Sequence, residues 1–355
     1  DTNAFTGLES VGYQLDLPEV DDDTLRTGLF LMRETASEIL MEAEAIERER
    51  GVILGEERAR NTPFRRWNQE RNRFLFPDMI IADRDSLLGA QEIIRTAPQE
   101  RFIDFYENFY VPERAMITVV GDIDVDDIEA RIIEQFGDWE QPENARPDPD
   151  LGTVDGDRGF DTGYFQDSEI VPIITIDILR PSSQPADTLD MRRENLVRSL
   201  GNSILNRRLG TIVSSGTSPL IQASASTSHA FDTVDRVSLL AASTPDNWRD
   251  AVGVIEQEVR RAVEHGFSQA ELNEQLANFR TGQINAAESA ETRSNTSLAD
   301  SLWQSWRGES VFTTPQSSLE RFESFVETIT LEDVEDAFRA SWTGVEPLVY
   351  VTGTE

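Results

Sequence analysis

Two stretches of this chain superimpose without a gap, 232 positions apart. The first, TAPQERFIDFYENFYVPERAMITVVG, covers 96–121, and the second, TITLEDVEDAFRASWTGVEPLVYVTG, covers 328–353. Thr96 aligns with Thr328, Phe102 with Val334, Tyr106 with Phe338 and Tyr110 with Trp342. Met116, Ile117 and Val119 align with Leu348, Val349 and Val351, and Gly121 with Gly353. Apolar residues at 102, 106 and 109 recur at helix spacing. Thr330-x-x-Asp333 has the form of a capping box. Each copy therefore reads as a capped helix, a short turn and a buried strand ending at glycine. Self-similarity over such a distance predicts a duplicated domain, and the helix–strand content makes it α+β.

The boundary between the copies falls in QPENARPDPDLGTVDGDRG, 141–159, where Pro, Gly and Asp cluster. This predicts a first domain over 1–145, a linker over 146–159 and a second domain over 160–355. In the second domain IVPIITIDIL, 170–179, reads as the first strand. A helix is expected near 187–207, a strand pair near 220–226 and 235–243, and a helix from Asp246 to about Glu264. That helix stops at His265-Gly266, and Ser268-x-x-Glu271 caps the next one. Carried backwards, the period puts the start of the first copy roughly 70 residues before Asp1. The first domain is thus expected to be N-terminally truncated, lacking its opening strand and helix, with DTNAFTG inside a domain.

Composition narrows the function classes. Sixty-six acids face 32 bases for a net charge of −34, and every base is arginine. Such a surface repels nucleic acid and anionic membrane. Either an ordinary solvated acidic coat or a saline habitat, where screening relieves the self-repulsion, accounts for it. The absence of cysteine excludes disulfides, thiolate nucleophiles and cysteine zinc sites. No apolar run approaches the roughly 18 residues of a membrane span.

The densest acidic stretch is IERERGVILGEERAR, 46–60. Glu49 and Glu56 are seven apart and share one face of a helix. Val52, Ile53 and Leu54 lie between them as an apolar patch. Two carboxylates in such a setting suit a metal ligand and a carboxylate that supports it. The pattern better suits a solvated helix whose glutamates pair with Arg48, Arg50 and Arg58. The two histidines offer no ligand set. His265 precedes Gly266 at a helix end, where it stabilises the last carbonyls, and His229 reads as a loop or strand-edge residue. SSGTS at 214–218 lacks a histidine placed for a serine nucleophile, and Gly121 and Gly353 follow no phosphate-loop spacing.

Taken together, these segments resemble the N-terminal half of a pitrilysin / mitochondrial-processing-peptidase type zinc metallopeptidase. NAFTGLESVGYQLDLPE resembles the family's Asn-Ala-x-Thr strand and the strand after it. ERERGVILGEER resembles its downstream glutamate helix. FYENFYVPERAMITVVGDID and FGDW (136–139) resemble the end of the first domain. RLGTIVSSGTSP and HGFSQAELNEQLANFR resemble the second. The resemblance runs over essentially the whole chain. It implies two similar domains, each a mixed or antiparallel sheet packed by helices. It also implies Zn2+ held by two histidines of an H-x-x-E-H helix and by a distant glutamate, which Glu56 matches. Glu49 matches the acidic residue that supports the site, and Asn3, Ala4 and Thr6 match the edge strand on which the peptide is laid. The chemistry implied is attack of a zinc-bound water on a peptide carbonyl, with the H-x-x-E-H glutamate as general base.

This sequence contains no H-x-x-E-H. In the family it lies in the helix before the Asn-Ala-x-Thr strand, so the general base is expected upstream of Asp1. The chain by itself is expected to be inactive, since a catalytic zinc needs three protein ligands. The resemblance further implies a second, similar half, in the same parent chain or in a partner subunit, and a periplasmic or secreted location. The alternative is a non-catalytic binding or structural partner of an active peptidase of the same family.

Overall fold

A computed structural model of the chain describes residues 2–84, 91–143, 145–183 and 186–353. Asp1 and the last two residues, on which the expectations about the chain's ends bear, lie outside the described residues, as does Asn144 just before the expected linker. In chain order the elements begin with strands β1 (Thr2–Thr6) and β2 (Val11–Leu15) and helices α1 (Asp22–Ser37), α2 (Ala43–Arg60) and α3 (Pro63–Leu75). Helices α4 (Ile80–Asp83), α5 (Gln91–Thr96), α6 (Gln99–Phe109) and α7 (Val125–Phe136) follow. Next come β3 (Asp161–Gln166), β4 (Ile173–Pro181), α8 (Leu189–Val213), β5 (Leu220–Ala230) and β6 (Val234–Ser243). The chain continues through α9 (Trp248–His265), α10 (Gln269–Glu288), α11 (Asn295–Arg307), α12 (Pro315–Val326), α13 (Leu331–Trp342) and β7 (Leu348–Gly353).

These elements form two compact units that are not contiguous in sequence. The first comprises Asp1–Asn61, Arg84–Asp150 and Arg293–Gly308, and the second Thr62–Asp83, Leu151–Thr292 and Glu309–Glu355. Two segments thus lie on the other side of the division read from the linker. Helix α3 belongs with the second unit, and α11 with the first.

The second unit is built on a five-stranded sheet in the order β3-β7-β4-β6-β5, antiparallel except where β3 runs parallel to β7. Strand β4 is central and buried from Ile173 to Leu179. A strand covered on both faces loses the polar alternation of a half-exposed one. Ile174, Ile176 and Ile178 turn to one face, where they meet Leu200, Ile204 and Leu205 of α8, Ile255 of α9 and Phe338 of α13. On the other face Ile173 joins Trp67 of α3 and Tyr350 of β7. Helix α3 starts at Thr62, whose hydroxyl accepts from Arg65 N at 3.2 Å, with Pro63 in the first turn. It presents Trp67, Arg71, Phe74 and Leu75 on one side, and Trp67, Arg71 and Leu75 are buried. Arg71 is held by Asp177 of β4, both of whose carboxylate oxygens accept from Arg71 Nη2 at 2.9 Å.

The capping boxes read at Ser268 and Thr330 are both formed. At Ser268 the Glu271 carboxylate also takes Arg208 of α8 through Nε at 2.6 Å and Nη2 at 2.9 Å. The Arg208 bond holds the Glu271 carboxyl down to about 2, from 4.5 for an ordinary glutamate, against the upward pull of burial. A carboxyl whose pKa is depressed on folding stabilises the fold above its unfolded value, and that contribution is lost as pH falls through the folded one. The thermal midpoint of the Glu271→Gln variant is therefore expected to lie below wild type near neutral pH. The gap should close as pH drops from about 4.5 towards 2. A gap that is constant across that window would contradict the assignment.

The first unit holds β1 and β2 as a two-stranded antiparallel sheet. Its small core joins Leu25 and Leu29 of α1 to Ile128 of α7, with Val119 and Phe136 packed against them. Arg33 of α1 reaches Asp138 at 3.3 Å and lies over Trp139, fastening the FGDW turn to α1. The 232-residue repeat gives helices that begin at equivalent positions, Gln99 of α6 and Leu331 of α13. It does not give two strands. Residues 348–353 form β7, whereas 116–121, expected as a strand, carry no strand assignment. A ladder requires two segments; β7 has β3 and β4 beside it, and among the described residues 116–121 has no strand neighbour.

Candidate functional site

Helix α2 carries both candidate carboxylates, as their spacing predicted. Arg50 anchors it by donating to the carbonyls of Ile94 and Ala97 at the end of α5 and by lying over the Phe102 ring at 5.5 Å. Glu49 is exposed. Glu56 is half-buried, its side chain 38% exposed, and pairs with Arg60 at 2.5 Å. The expected apolar patch is only partly covered: Ile53 and Leu54 are half-buried and Val52 is 58% exposed. The buried residue of α2 is Glu57, which the sequence reading did not single out. The arginine-paired helix of the alternative reading is visible in Arg50–Glu47 and Arg60–Glu56. Exposed i,i+4 pairs contribute about 0.3–0.5 kcal/mol, so Arg60 does little to hold Glu56 against a stronger cation.

Asn3, Ala4 and Thr6 stand together on β1, all exposed. Their partners on β2 are Gln14, Tyr13 and Val11. Among the described residues β1 has β2 as its one neighbour, which leaves its other edge open. Asn3 Oδ1 accepts from Ala4 N at 2.9 Å. Two aromatic contacts fix the sheet. The Phe5 ring lies over Gly12, where it leaves no room for a Cβ, and meets Trp303 of α11 edge-on at 5.0 Å. On β2 the Tyr13 hydroxyl bonds the Tyr110 hydroxyl at 2.8 Å. Burial and that bond push the Tyr110 phenol well above its ordinary range. Tyr106 donates to Thr35 O at 2.8 Å and so ties α6 to α1. Trp303 was missed because it lies some 300 residues from β1 in sequence, and nothing in its own surroundings marks the contact.

The histidines stand where the sequence put them. His229 is on the edge strand β5 and pairs with Asp235 at 2.9 Å, and His265 is in the last turn of α9. Among the described residues no group of three or more His, Cys, Asp or Glu could hold a metal ion. Zinc needs three protein ligands, and Glu56 with an arginine beside it is one. The described residues therefore do not fit zinc on their own. What the site offers by itself is an open strand edge and an acidic helix. No helix among the described residues is long and apolar enough to cross a membrane.

The fold is that of a peptidase half. It superimposes over 100% of the chain on the first half of the periplasmic protease PqqL from Escherichia coli, with TM-score 0.89, 21% identity and 75% of that chain covered. The ferredoxin protease FusC matches with TM-score 0.82 and 19% identity over 99% of this chain and 39% of that one. A peptidase M16 inactive domain from Pseudomonas fluorescens matches with TM-score 0.71 and 15% identity over 100% of this chain and 81% of that one. A family described as the peptidase M16 inactive domain matches residues 97–167. In sequence the chain is 23% identical over 347 residues to a protein of E. coli K12 described as a probable zinc protease, PqqL. That alignment covers 96% of this chain and 36% of the relative, so the chain spans about a third of the relative's length. These likenesses agree with the resemblance to pitrilysin-type peptidases carried by the sequence motifs.

Proposed function

We propose that this chain is part of the N-terminal half of a zinc metalloendopeptidase, with Glu56 as its downstream metal ligand and Glu49 as the carboxylate that supports the site. The observation that carries the reading is the pairing, in one unit, of an open strand edge at Asn3–Thr6 with a helix presenting Glu49 and Glu56 on one face. It sits in a fold that follows the first half of E. coli PqqL throughout. The remaining ligands, two histidines, come from outside this chain in the parent protein. The first unit's uncovered apolar side chains, Phe30, Leu31, Leu40 and Ile133 among them, support a parent in which further residues pack there.

The β1 edge receives an extended peptide as an added strand, its main chain giving affinity and its alternate side chains specificity. Such an addition requires the Ala4 N–H to exchange its bond to Asn3 for one to the peptide. A second similar half, in the same parent chain or in a partner subunit, completes the enzyme. The location is periplasmic or secreted, a reading supported by the likeness to the periplasmic protease of E. coli. One observation favours a non-catalytic partner subunit instead: the matching family is described as an inactive domain.

In the parent protein, Glu56→Ala is expected to abolish zinc binding, and Glu49→Ala to weaken metal affinity by roughly 10- to 100-fold. Metal analysis after dialysis reads both. A full zinc equivalent retained by the Glu56 variant sinks the ligand assignment. Unchanged affinity in the Glu49 variant returns that residue to the solvated face of α2.

A further inference from the structure

Every residue of β1 is exposed, and among the described residues its one strand partner is β2. A two-stranded sheet is marginal by itself, so the side chains that fasten β1 decide how its open edge is presented. Side chains alternate between the faces of a strand, which puts Phe5 with Asn3 on one face and Ala4 with Thr6 on the other. Phe5 stands opposite Gly12 of β2. A Cβ at Gly12 would overlap Cζ and Cε1 of the Phe5 ring and stand 3.0 Å from Cε2. The ring therefore fills the space of the missing side chain. It leans across the sheet towards β2, away from the open edge. Gly12 is not among the glycines with a left-handed backbone, so its conformation does not require glycine. Glycine inside a strand weakens it and often marks a close approach, and here what approaches is the ring. Trp303 of α11 meets the same ring edge-on at 5.0 Å. Trp303 is half-buried and carries the Arg307 guanidinium, one helical turn further on, over its own ring at 5.4 Å. All four residues belong to the first unit.

We propose that Gly12 and Trp303 are positioning residues for the bound peptide: between them they hold the Phe5 ring on the β2 side of β1 and keep the open edge clear. The inference rests on the reading of β1 as the edge that receives the peptide. An added strand sets one of its residues opposite Phe5, with the two Cβ atoms about 4.5–5.5 Å apart on one face. A phenyl ring swung to that side fills the place of the peptide's side chain. With the ring over Gly12 that place is free. Phe5 is still 43% exposed, so the ring offers the incoming side chain an apolar flank and no obstacle. A Cβ at position 12 meets the far end of a side chain and no backbone. The fold should therefore tolerate it, and the ring should move.

The test is steady-state cleavage, by the zinc-loaded parent protein, of a pool of short internally quenched peptides of random sequence, with zinc content measured on every variant. Gly12→Ala is expected to raise the apparent KM at least about tenfold, with kcat within about twofold, the pattern of lost uniform binding. Its zinc content should be that of wild type. Adding Phe5→Ala removes the displaced ring and should bring KM back to within about threefold of wild type, a coupling that a double-mutant cycle reads directly. Trp303→Ala should also raise KM, and Trp303→Phe, which keeps a ring against Phe5, should not. If Gly12→Ala does not fold, Trp303→Ala and its double variant with Phe5→Ala carry the test. A Gly12→Ala protein with wild-type KM overturns the proposal. So does a raised KM that persists without Phe5, or a loss of zinc, because Gly12 then acts through the fold. A wild type that holds no zinc, or holds it and leaves the pool uncut, overturns the reading of the site itself, and the inference with it.

Discussion

Replacing Asp177 with alanine is expected to destabilise the second unit by about 3–5 kcal/mol, the cost of leaving a buried charge without its partner. The Asp177 side chain is 0% exposed and lies between two guanidinium groups. Arg71 holds both carboxylate oxygens, and Arg236 donates to one of them from Nε at 2.8 Å. Burial pulls the Arg71 guanidinium below its ordinary pKa, and Asp177 pulls it back. Without the carboxylate Arg71 keeps only modest neutral partners, the Thr175 hydroxyl at 3.1 Å and the Trp67 ring at 5.6 Å among them. Arg236 is less enclosed and turns to solvent more easily. At about 2–4 °C per kcal/mol the thermal midpoint should fall by roughly 6–20 °C. Arg71→Met with Asp177→Leu should recover most of the loss, because apolar residues of similar volume avoid the desolvation cost altogether. A fall of less than about 1 kcal/mol for Asp177→Ala would show that the pair does not fasten α3 to the sheet.

Phe338→Ala should cost a similar amount, about 3–5 kcal/mol, through a different mechanism. Phe338 is 2% exposed in the core between the helices and the opposite face of the sheet. Its ring meets Phe267 edge-on at 5.1 Å and lies 5.9 Å from Trp342. It also crowds Gly201, where a Cβ would come within 3.1 Å of the ring. Alanine leaves a cavity that these rigid neighbours fill poorly. Denaturant unfolding of the variant measures the loss, and a change below about 1.5 kcal/mol would mean that the core closes over the gap. The equivalent residue of the repeat, Tyr106, is also buried, but its neighbourhood is the smaller first unit.

The elements of the second unit were legible because each declares itself locally. The isoleucines of β4, the glycine stop after His265 and the capping boxes at Ser268 and Thr330 depend on residues a few positions apart. The docking of α3 was not legible. Arg71 reads as a surface charge until Asp177, far away in sequence, is brought under it. The return of α11 to the first unit turns on Phe5 and Trp303, which no periodicity connects. Residues 116–121 had the composition of a strand, yet strand formation depends on a second segment. Within α2 the residue pattern favoured a solvated helix over a metal-supporting one. The choice of Glu56 came from the family resemblance. What the structure adds is its position: on α2, half-buried, with a weakly held arginine beside it.

The most direct test of the account is an intact mass of the purified parent protein with zinc content measured on the same sample. The expected result is a mass above the 40.0 kDa of this chain and one zinc per chain, with Glu56 among its ligands. A parent that binds no zinc at any length would contradict it and leave the chain as a non-catalytic partner subunit.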